Sequence, residues 1–342
     1  VTGGPLFKTD SATPIGTWAV DTLTVDTTPP NVLDFEVHES ANGEQRLFAT
    51  LPTDIAVLNS TAKANKWEVD WGSTIATNPG SLTTGTLHPI CRLQRLIAVG
   101  NGNVLVTIDK NDVYTAARLT MPFGYSIRNI YASSDRYWIG CTNLMGTNAK
   151  IIEWDGFSLT YNNEYNLIGD VPLSGFVVGN IPYFITNYGY IYRYAGGSFI
   201  VDQQFPLAEE LLPTLDISTY GISVNNTRAL ILANDASDTA ITASRKFRAG
   251  VWEFDAVSKN LNHKIGFGAT DTTTPTTTAD FGQSQLVGIG GMLFAFTTSA
   301  NIIVAGARVY TSYSGTSVYG LFRSIVSKYR GGSNGLNRGY FV

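Results

Sequence analysis

Carboxylates are the residues here most able to do chemistry. Glycoside cleavage needs two of them facing one another across a sugar. Asp34, Glu36, Asp54, Glu153, Asp155 and Glu253 all lie at or near the ends of short apolar runs. Glu153 and Glu253 hold the same place in two copies of one pattern, which marks them as repeated surface or packing residues rather than a reacting pair. The three histidines, His38, His88 and His263, lie in separate stretches without a His, Cys, Asp or Glu partner at metal spacing, so zinc is not expected. Alternation along a strand places Glu36 and His38 on one face and Glu39 on the other, and the expectation for His38 is a surface strand of mixed charge. The Asp-rich turns Asp109–Asp112 and Asn234–Asp238 lack the central Gly and final Glu of a calcium loop. Asp and Asn are also ordinary turn formers, and turn chemistry is the reading adopted for both. There is no Gly-x-Ser-x-Gly elbow and no Gly-rich phosphate loop. No catalytic residue, metal ligand or cofactor is assigned.

Aromatic residues offer binding instead of bond making. Tyr161, Tyr165, Tyr188, Tyr190, Tyr192 and Tyr194 are concentrated in one region, and most should pack between strands. The turn Asn187-Tyr188-Gly189-Tyr190 is the best candidate for exposed rings that stack on a glycan, so Asn187, Tyr188 and Tyr190 are the candidate glycan or partner contacts. The two cysteines, Cys91 and Cys141, sit in apolar strand contexts and are expected to be buried free thiols. A disulfide between them would require neighbouring strands.

These residues must be positioned by strands. Of 342 residues, 44% are apolar and only 15% charged, with seventeen Tyr, seventeen Phe and six Trp among them. That balance favours strands and tight turns around a large core. A net charge of −4, without a local run of Lys or Arg, gives no face for nucleic acid. No apolar stretch is long enough to span a bilayer, and no signal-peptide pattern opens the chain. The chain begins at Val1 and ends on Tyr340-Phe341-Val342 in what reads as mid-strand, so a piece of a longer protein is expected.

One pattern recurs. AKIIEWDGFSLTY (149–161) runs from an apolar strand through Asp155-Gly156 into a second strand with Phe157, Leu159 and Tyr161 on one face. GYIYRYAGGSFIV (189–201) repeats it with Gly196-Gly197 as the turn, and GVWEFDAVSKNLNHK (250–264) repeats it again. A unit of a few dozen residues that cannot bury its own apolar face marks a repeat architecture. Six four-stranded units are read at 31–78, 88–122, 126–167, 172–206, 218–268 and 283–326. The third-strand markers Leu58, Ile108, Trp154, Tyr194, Phe254 and Tyr310 step by 50, 46, 40, 60 and 56 residues. Spacing of this kind with four short strands predicts an all-β fold, a β-propeller of six or seven four-stranded blades. Residues 1–30 are assigned to an N-terminal linker and ring-closing strand, 31–326 to the blades, and 327–342 to a C-terminal strand leading into a further domain. Seven blades would follow from sharing a last blade between the two ends. Leu207–Leu212 is the single helical hint. Loops Thr74–His88, Asp235–Phe247 and Asp271–Asp280 are long, polar and candidate contact surfaces.

A β-sandwich would break the even spacing, and a parallel β-helix would show coils of about twenty residues. Trp154-Asp155 is a single match to the WD dipeptide, with no Gly-His before it. The Ser-x-Asp-x-Gly-x-Thr-Trp boxes of sialidase-like propellers are absent, since Ser134-Asp135-Arg136-Tyr137-Trp138 holds only the wrong half.

The stretches TDIAVLNSTAKANKW, AKIIEWDGFS and AGVWEFDAVSKNLNHKIGF resemble β-propeller segments in virion and tail proteins of tailed bacteriophages. The resemblance covers most of the chain but carries no active-site signature. It implies a non-enzymatic structural or attachment module in a multi-subunit virion or extracellular particle. Its partners would be other virion or surface-assembly proteins within an oligomer, together with a host-surface glycan, and neither nucleic acid nor membrane insertion is implied. The alternatives are a carbohydrate-active propeller, lectin or glycoside-cleaving enzyme, and a bacterial surface adhesin.

Overall fold

A computed structural model describes residues 33–58, 67–167, 171–206, 222–235 and 250–266, apart from 42, 44, 86 and 226. It also describes strand segments at 7–9, 19–20, 215–217, 287–289, 292–294, 302–305, 308–311 and 339–341. The fold is all-β and β-propeller-like, built of antiparallel four-stranded sheets. The first sheet comprises Asp34–Glu39, Gln45–Thr50, Ile55–Leu58 and Trp67–Glu68. The second comprises Ile90–Leu93, Leu96–Asn101, Val104–Ile108 and Tyr114–Thr120. The third comprises Tyr125–Ser133, Arg136–Asn143, Ala149–Trp154 and Asn163–Leu167. The fourth comprises Pro172–Val178, Ile181–Thr186, Tyr190–Ala195 and Ser198–Gln204. The fifth comprises Ile222–Asn225, Arg228–Asp235, Gly250–Asp255 and Leu261–Gly266, with Leu215–Asp216 added beside Arg228–Asp235. In each of the five, consecutive strands pair in chain order, as a meander requires.

These are the first five repeat units expected from the sequence. Later in the chain, Val287–Ile289 pairs with Met292–Phe294 and Ile302–Ala305 with Arg308–Thr311. Phe7–Thr9 pairs with both Ala19–Val20 and Gly339–Phe341. The count of six or seven blades, the helical hint at 207–212, and the loops 236–247 and 271–280 lie outside the described residues.

The chain divides into two compact units. One holds the first three sheets and the terminal strands, and the other runs mainly from Leu167 to Arg323. In the first unit, the second sheet explains the near-continuous apolar runs. Ile97, Val99, Val106 and Ile108 enter a core shared with Phe48, Val57 and Trp71 of the first sheet and the turn after it. Ala98 and Leu105, on the opposite face, enter a core shared with Ile139, Ile152 and Trp154 of the third sheet. Side chains alternate across a strand, so a sheet covered on both sides must be apolar at successive positions. The fourth strands have no such double cover: Tyr114–Thr120 exposes Thr115, Ala116 and Ala117. The second unit repeats the arrangement. Phe176, Tyr183 and Ile185 of the fourth sheet pack with Ala229, Trp252 and Phe254 of the fifth.

Three sequence expectations are corrected. His38 is not on a surface strand but fully buried, because its strand is covered on both faces. The first unit, read as four strands over 31–78, closes on a strand of only two residues, Trp67–Glu68, followed by a single π-helical turn, Trp71–Ile75. Asp54 holds that turn by accepting from Ser73 N at 3.1 Å and Ser73 Oγ at 2.5 Å. Phe157, Leu159 and Tyr161 do not begin a strand, because the fourth strand of the third sheet starts at Asn163. Neither cysteine is in a disulfide; Cys141 is buried and Cys91 half-buried.

Candidate functional site

The strand expected at Phe157 is displaced by a loop that Asp155 organises. Its Oδ1 accepts the backbone N–H of Phe157 and of Ser158, each at 2.8 Å. Its Oδ2 accepts the Ser158 hydroxyl at 2.6 Å and the Asn162 amide at 3.2 Å. A carboxylate that captures the next donors in this way competes directly with a sheet ladder. Burial alone would raise the Asp155 pKa, but the Ser158 hydroxyl, the two backbone N–H groups and Asn162 outweigh it and hold the group well below the usual carboxylate range. Trp154 Nε1 donates to the Ser158 carbonyl at 2.9 Å, and Arg118 of the second sheet donates to the Phe157 carbonyl. Gly156 takes φ +85°, and a Cβ there would meet Leu96 Cδ2 at 3.4 Å and the Tyr137 ring at 3.5 Å. The loop thus holds Phe157 in place while leaving it 74% exposed.

Beside this loop, still within the first unit, lies a cleft of about 420 Å³. Its lining is mostly apolar and includes Leu93, Leu96, Tyr137 and Phe157. Arg95, Lys110, Arg118, Asp109, Asp135 and Asp155 supply the charges. The buried Tyr137 ties the third sheet to the hairpin turn of the second. Its hydroxyl donates to Leu96 O at 2.6 Å and accepts from Leu93 N at 3.1 Å, and its ring stacks on Trp154 at 5.5 Å. Burial pushes the Tyr137 hydroxyl well above its ordinary pKa, so it keeps its proton. In the same turn Gln94 holds φ +53°, a left-handed conformation that costs a side-chain-bearing residue about 1 kcal/mol or more.

Asp109 Oδ1 accepts Asn111 N at 2.8 Å and Val113 N at 3.0 Å, so it is the turn former expected for Asp109–Asp112. Asp135 sits 3.8 Å from Arg136. Among the described residues, Thr107 and Thr115 line the cleft and no histidine does.

The other carboxylates considered in the sequence are likewise tied to local donors. Asp34 accepts Phe35 N at 2.7 Å and Ile90 N at 2.8 Å, joining the first sheet to the second. Glu36 Oε1 accepts Val37 N at 3.0 Å. Glu153 is buried and accepts Tyr165 Oη at 2.7 Å, Asn163 Nδ2 at 2.8 Å and an Arg136 guanidinium N–H. Burial would raise its pKa, but those donors together lower it. Glu253 lies 3.6 Å from Arg228. Burial pushes Asp54 up despite its Ser73 and Ile55 donors. Among the described residues no group of three or more His, Cys, Asp or Glu could hold a metal ion. His38 and His88 are buried with lowered pKa values caused chiefly by burial. His88 Nδ1 lies 2.9 Å from Gly100 O, and His38 Nε2 lies 3.3 Å from Asp109 O.

The turn proposed from the sequence lies in the second unit. Asn187 is a structural clamp: its Oδ1 accepts Val171 N at 2.8 Å and its own N–H donates to Val171 O at 3.0 Å. Tyr188 and Tyr190 are half-buried, and Tyr190 packs edge-on against Tyr192 at 6.1 Å. Nothing in the sequence marks Arg95, Arg118, Tyr137 or Phe157 as a binding residue. The available signal is Asp155 followed three residues later by Ser158, a pattern for a side-chain-capped loop rather than a strand.

No protein-family model matches the chain, and no curated protein matches it in sequence. Solved structures do resemble it in fold. The computationally designed Ika8 protein aligns with a TM-score of 0.52 at 6% identity, covering 91% of this chain and 83% of the other. A candidate 6-phosphogluconolactonase from Bacteroides uniformis aligns at 0.50 and 13%, covering 89% and 86%. PorZ of Porphyromonas gingivalis, an essential bacterial surface component of its type-IX secretion system, aligns at 0.50 and 10% over 86% of this chain. The chain spans only 34% of PorZ. At these identities the likeness is one of fold, and a designed protein, a candidate enzyme and a surface component all share it.

Proposed function

We propose that this chain is a non-catalytic interaction module that binds other proteins through connections between its strands, the cleft of the first unit among them. The observation that carries this reading is the state of the carboxylates. Asp34, Asp109, Glu153 and Asp155 each accept several donors from their own fold, whereas an aromatic side chain is held out in water beside a mostly apolar cleft. Reactive sites keep such groups available, and contact surfaces keep rigid aromatics exposed. A surface component such as PorZ gives a precedent of fold for the role.

The finer reading is a structural or attachment module of a phage tail or similar extracellular assembly, within an oligomer. It is supported by the resemblance of TDIAVLNSTAKANKW, AKIIEWDGFS and AGVWEFDAVSKNLNHKIGF to virion propeller segments. A second reading, glycan binding at the turn 187–190, is favoured by the half-exposed rings of Tyr188 and Tyr190.

Amine-reactive cross-linking of the native assembly, followed by mass spectrometry, tests the interaction role. Lys110, on the cleft, should link to a second protein. Links confined to this chain, or turnover of a glycoside panel by the purified protein, would overturn it.

A further inference from the structure

The first and second sheets meet across polar side chains as well as apolar ones. On the first sheet Asp34, Glu36 and His38 alternate onto one face, and Thr50, Phe48 and Arg46 stand opposite them on the next strand. That face meets the second sheet. Phe48 joins its core, Asp34 accepts Ile90 N at 2.8 Å, and Thr50 Oγ1 donates to His88 O at 2.8 Å. Where the stripe ends, the turn Asp109–Asp112 of the second sheet is held by three contacts. His38 Nε2 lies 3.3 Å from Asp109 O, Ala41 N donates to Lys110 O at 2.7 Å, and Arg46 pairs with Asp112. We propose that His38 is an acid-sensitive latch on this seam: neutral, it keeps the turn Asp109–Asp112 on the first sheet, and protonated, it lets the turn go.

Hydrogen-bond geometry carries the proposal. Asp109 O can only accept, so Nε2 bears the proton of the neutral ring and Nδ1 keeps its lone pair. Nδ1 is buried and, among the described residues, has no hydrogen-bond partner. A second proton must go to Nδ1, where none of those residues accepts it. The charges around the ring do not compensate. Arg46 stands directly opposite on the neighbouring strand, and Arg92 of the second sheet also disfavours a cation. Asp112 favours one but is already paired with Arg46. The Asp109 carboxylate accepts Asn111 N and Val113 N from its own turn, Glu36 accepts Val37 N, and Lys110 adds a further positive charge. A buried charge without an acceptor or a counter-ion of its own is costly, and the ring escapes that cost by reaching water. The turn is the side that can yield: Lys110 and Asn111 are exposed, whereas Phe48, edge-on to the ring, belongs to the core.

His88, in the same seam, is the contrast. Its Nδ1 lies 2.9 Å from Gly100 O and its Nε2 3.3 Å from Pro52 O, so both N–H groups of a charged ring would find acceptors.

The direction of titration agrees with the geometry. Burial, helped by Arg92 and Arg46, pulls His38 below its ordinary 6.5 against the opposing effects of the Asp109 carbonyl and Asp112. A ring with a lowered folded pKa takes its proton more readily once released. The closed seam is therefore fully favoured above about pH 6.5 and loses ground as pH falls below it. One pH unit lower, at about 5.5, the opening equilibrium should have risen about tenfold. Asp109 and Lys110 also line the first-unit cleft, so the same protonation would loosen one of its walls. The latch itself does not depend on the interaction role.

The test follows the purified chain by hydrogen–deuterium exchange at about pH 7.5 and about pH 5.5, corrected for intrinsic exchange rates, and by the histidine ring resonances in NMR. Peptides spanning Ala41 and residues 109–113 should exchange about tenfold faster at the lower pH, while those of the fourth sheet keep their rates. The His38 ring should titrate below its ordinary value. His38→Gln keeps a neutral donor but cannot take a proton, and should abolish the acid response, with near-ultraviolet circular dichroism at the higher pH confirming its fold. A His38 ring titrating at or above its ordinary value, equal exchange at the two pH values, or an acid response that survives His38→Gln would each overturn the inference. Should His38→Gln not fold, ring titration and exchange of the unaltered chain decide it.

Discussion

Two loops in this molecule share one local code and put it to different ends. Glu153-Trp154-Asp155-Gly156-Phe157-Ser158 leaves the third strand of the third sheet, and Glu253-Phe254-Asp255-Ala256-Val257-Ser258 leaves that of the fifth. In both, the Asp Oδ1 accepts the N–H groups two and three residues on, and an apolar side chain is left 74% exposed. Both are also latched to the fourth strand of the preceding sheet, by Arg118 to the Phe157 carbonyl and by Gln203 to the Lys259 carbonyl.

The two loops diverge immediately after the shared residues. Ser258 is succeeded by Lys259, whose ammonium lies 3.0 Å from the buried carboxylate of Asp202, itself 2.8 Å from Arg193 Nε. Asp202 is the extra residue of a bulge between Ile191 and Tyr192 in the pairing of the last two strands of the fourth sheet. A bulge of this kind re-aims a side chain, and here the re-aimed carboxylate anchors the neighbouring loop. Beyond Ser158, Asn162 folds back onto Asp155, and the loop is completed by its own residues. The fifth-sheet loop uses its charge to join two sheets. The third-sheet loop leaves Arg95 and Lys110 at the rim of a cleft.

The comparison can be tested by substitution. The largest effect should come from the aromatic residue that both loops hang from. Trp154→Ala and Phe254→Ala remove fully buried side chains and should each cost about 3–5 kcal/mol in urea unfolding. A much smaller loss at either position would mean that the two copies are not equivalent in packing.

Next is Asp202→Ala, which strands Arg193 and Lys259 and should cost about 2–3 kcal/mol. Because its effect belongs to the second unit, amide shifts around Phe157 should stay in place.

Smallest is Asp155→Ala, expected to cost about 1–2 kcal/mol through loss of a cap-like carboxylate. Asp255→Ala should cost less, since Asp255 has fewer hydrogen-bond donors than Asp155. These losses should depend on pH in a definite direction. Both carboxyls have folded pKa values below their ordinary one, Asp155 because its donors outweigh burial and Asp255 because of the Val257 and Ser258 N–H groups. Their stabilisation is therefore complete above the unfolded value of about 3.9 and fades as pH falls below it. The gap between wild type and Asp155→Ala should be constant from pH 7 to about 5 and shrink in stronger acid. A gap that grew on acidification would contradict the hydrogen-bond scheme.

How far the site is legible in the sequence can be judged at individual residues. Asp109 reads correctly as a turn former, because the Asx turn needs only backbone groups two to four residues away. Phe157 misleads because apolar alternation through Phe157, Leu159 and Tyr161 mimics a strand. The competing signal, four donors gathered on Asp155, outweighs that alternation only once Asn162 has folded back. His38 misleads for another reason. Glu36, His38 and Glu39 look like a wetted strand, yet that strand is covered on both faces, and Asp109 O and the edge of Phe48 receive the ring. In the second unit, the clamp that Asn187 places on Val171 joins positions 16 residues apart, which the turn's own residues do not signal.

What the amino-acid order determined by itself is the repeating unit: short apolar strands, tight turns, and the Glu-aromatic-Asp signature shared by the third strands of the third and fifth sheets. All of these depend on neighbours within a few positions, where strand periodicity and turn chemistry act. The tertiary structure alone decided which polar side chains are engaged and which remain available. Tyr137 meets Leu93 and Leu96 across more than forty residues, Arg118 reaches Phe157 across 39, and Lys259 reaches Asp202 across 57. Whether a charge is paired or free depends on partners brought within about 3 Å by the packing of sheets, and no local pattern in the chain encodes that distance.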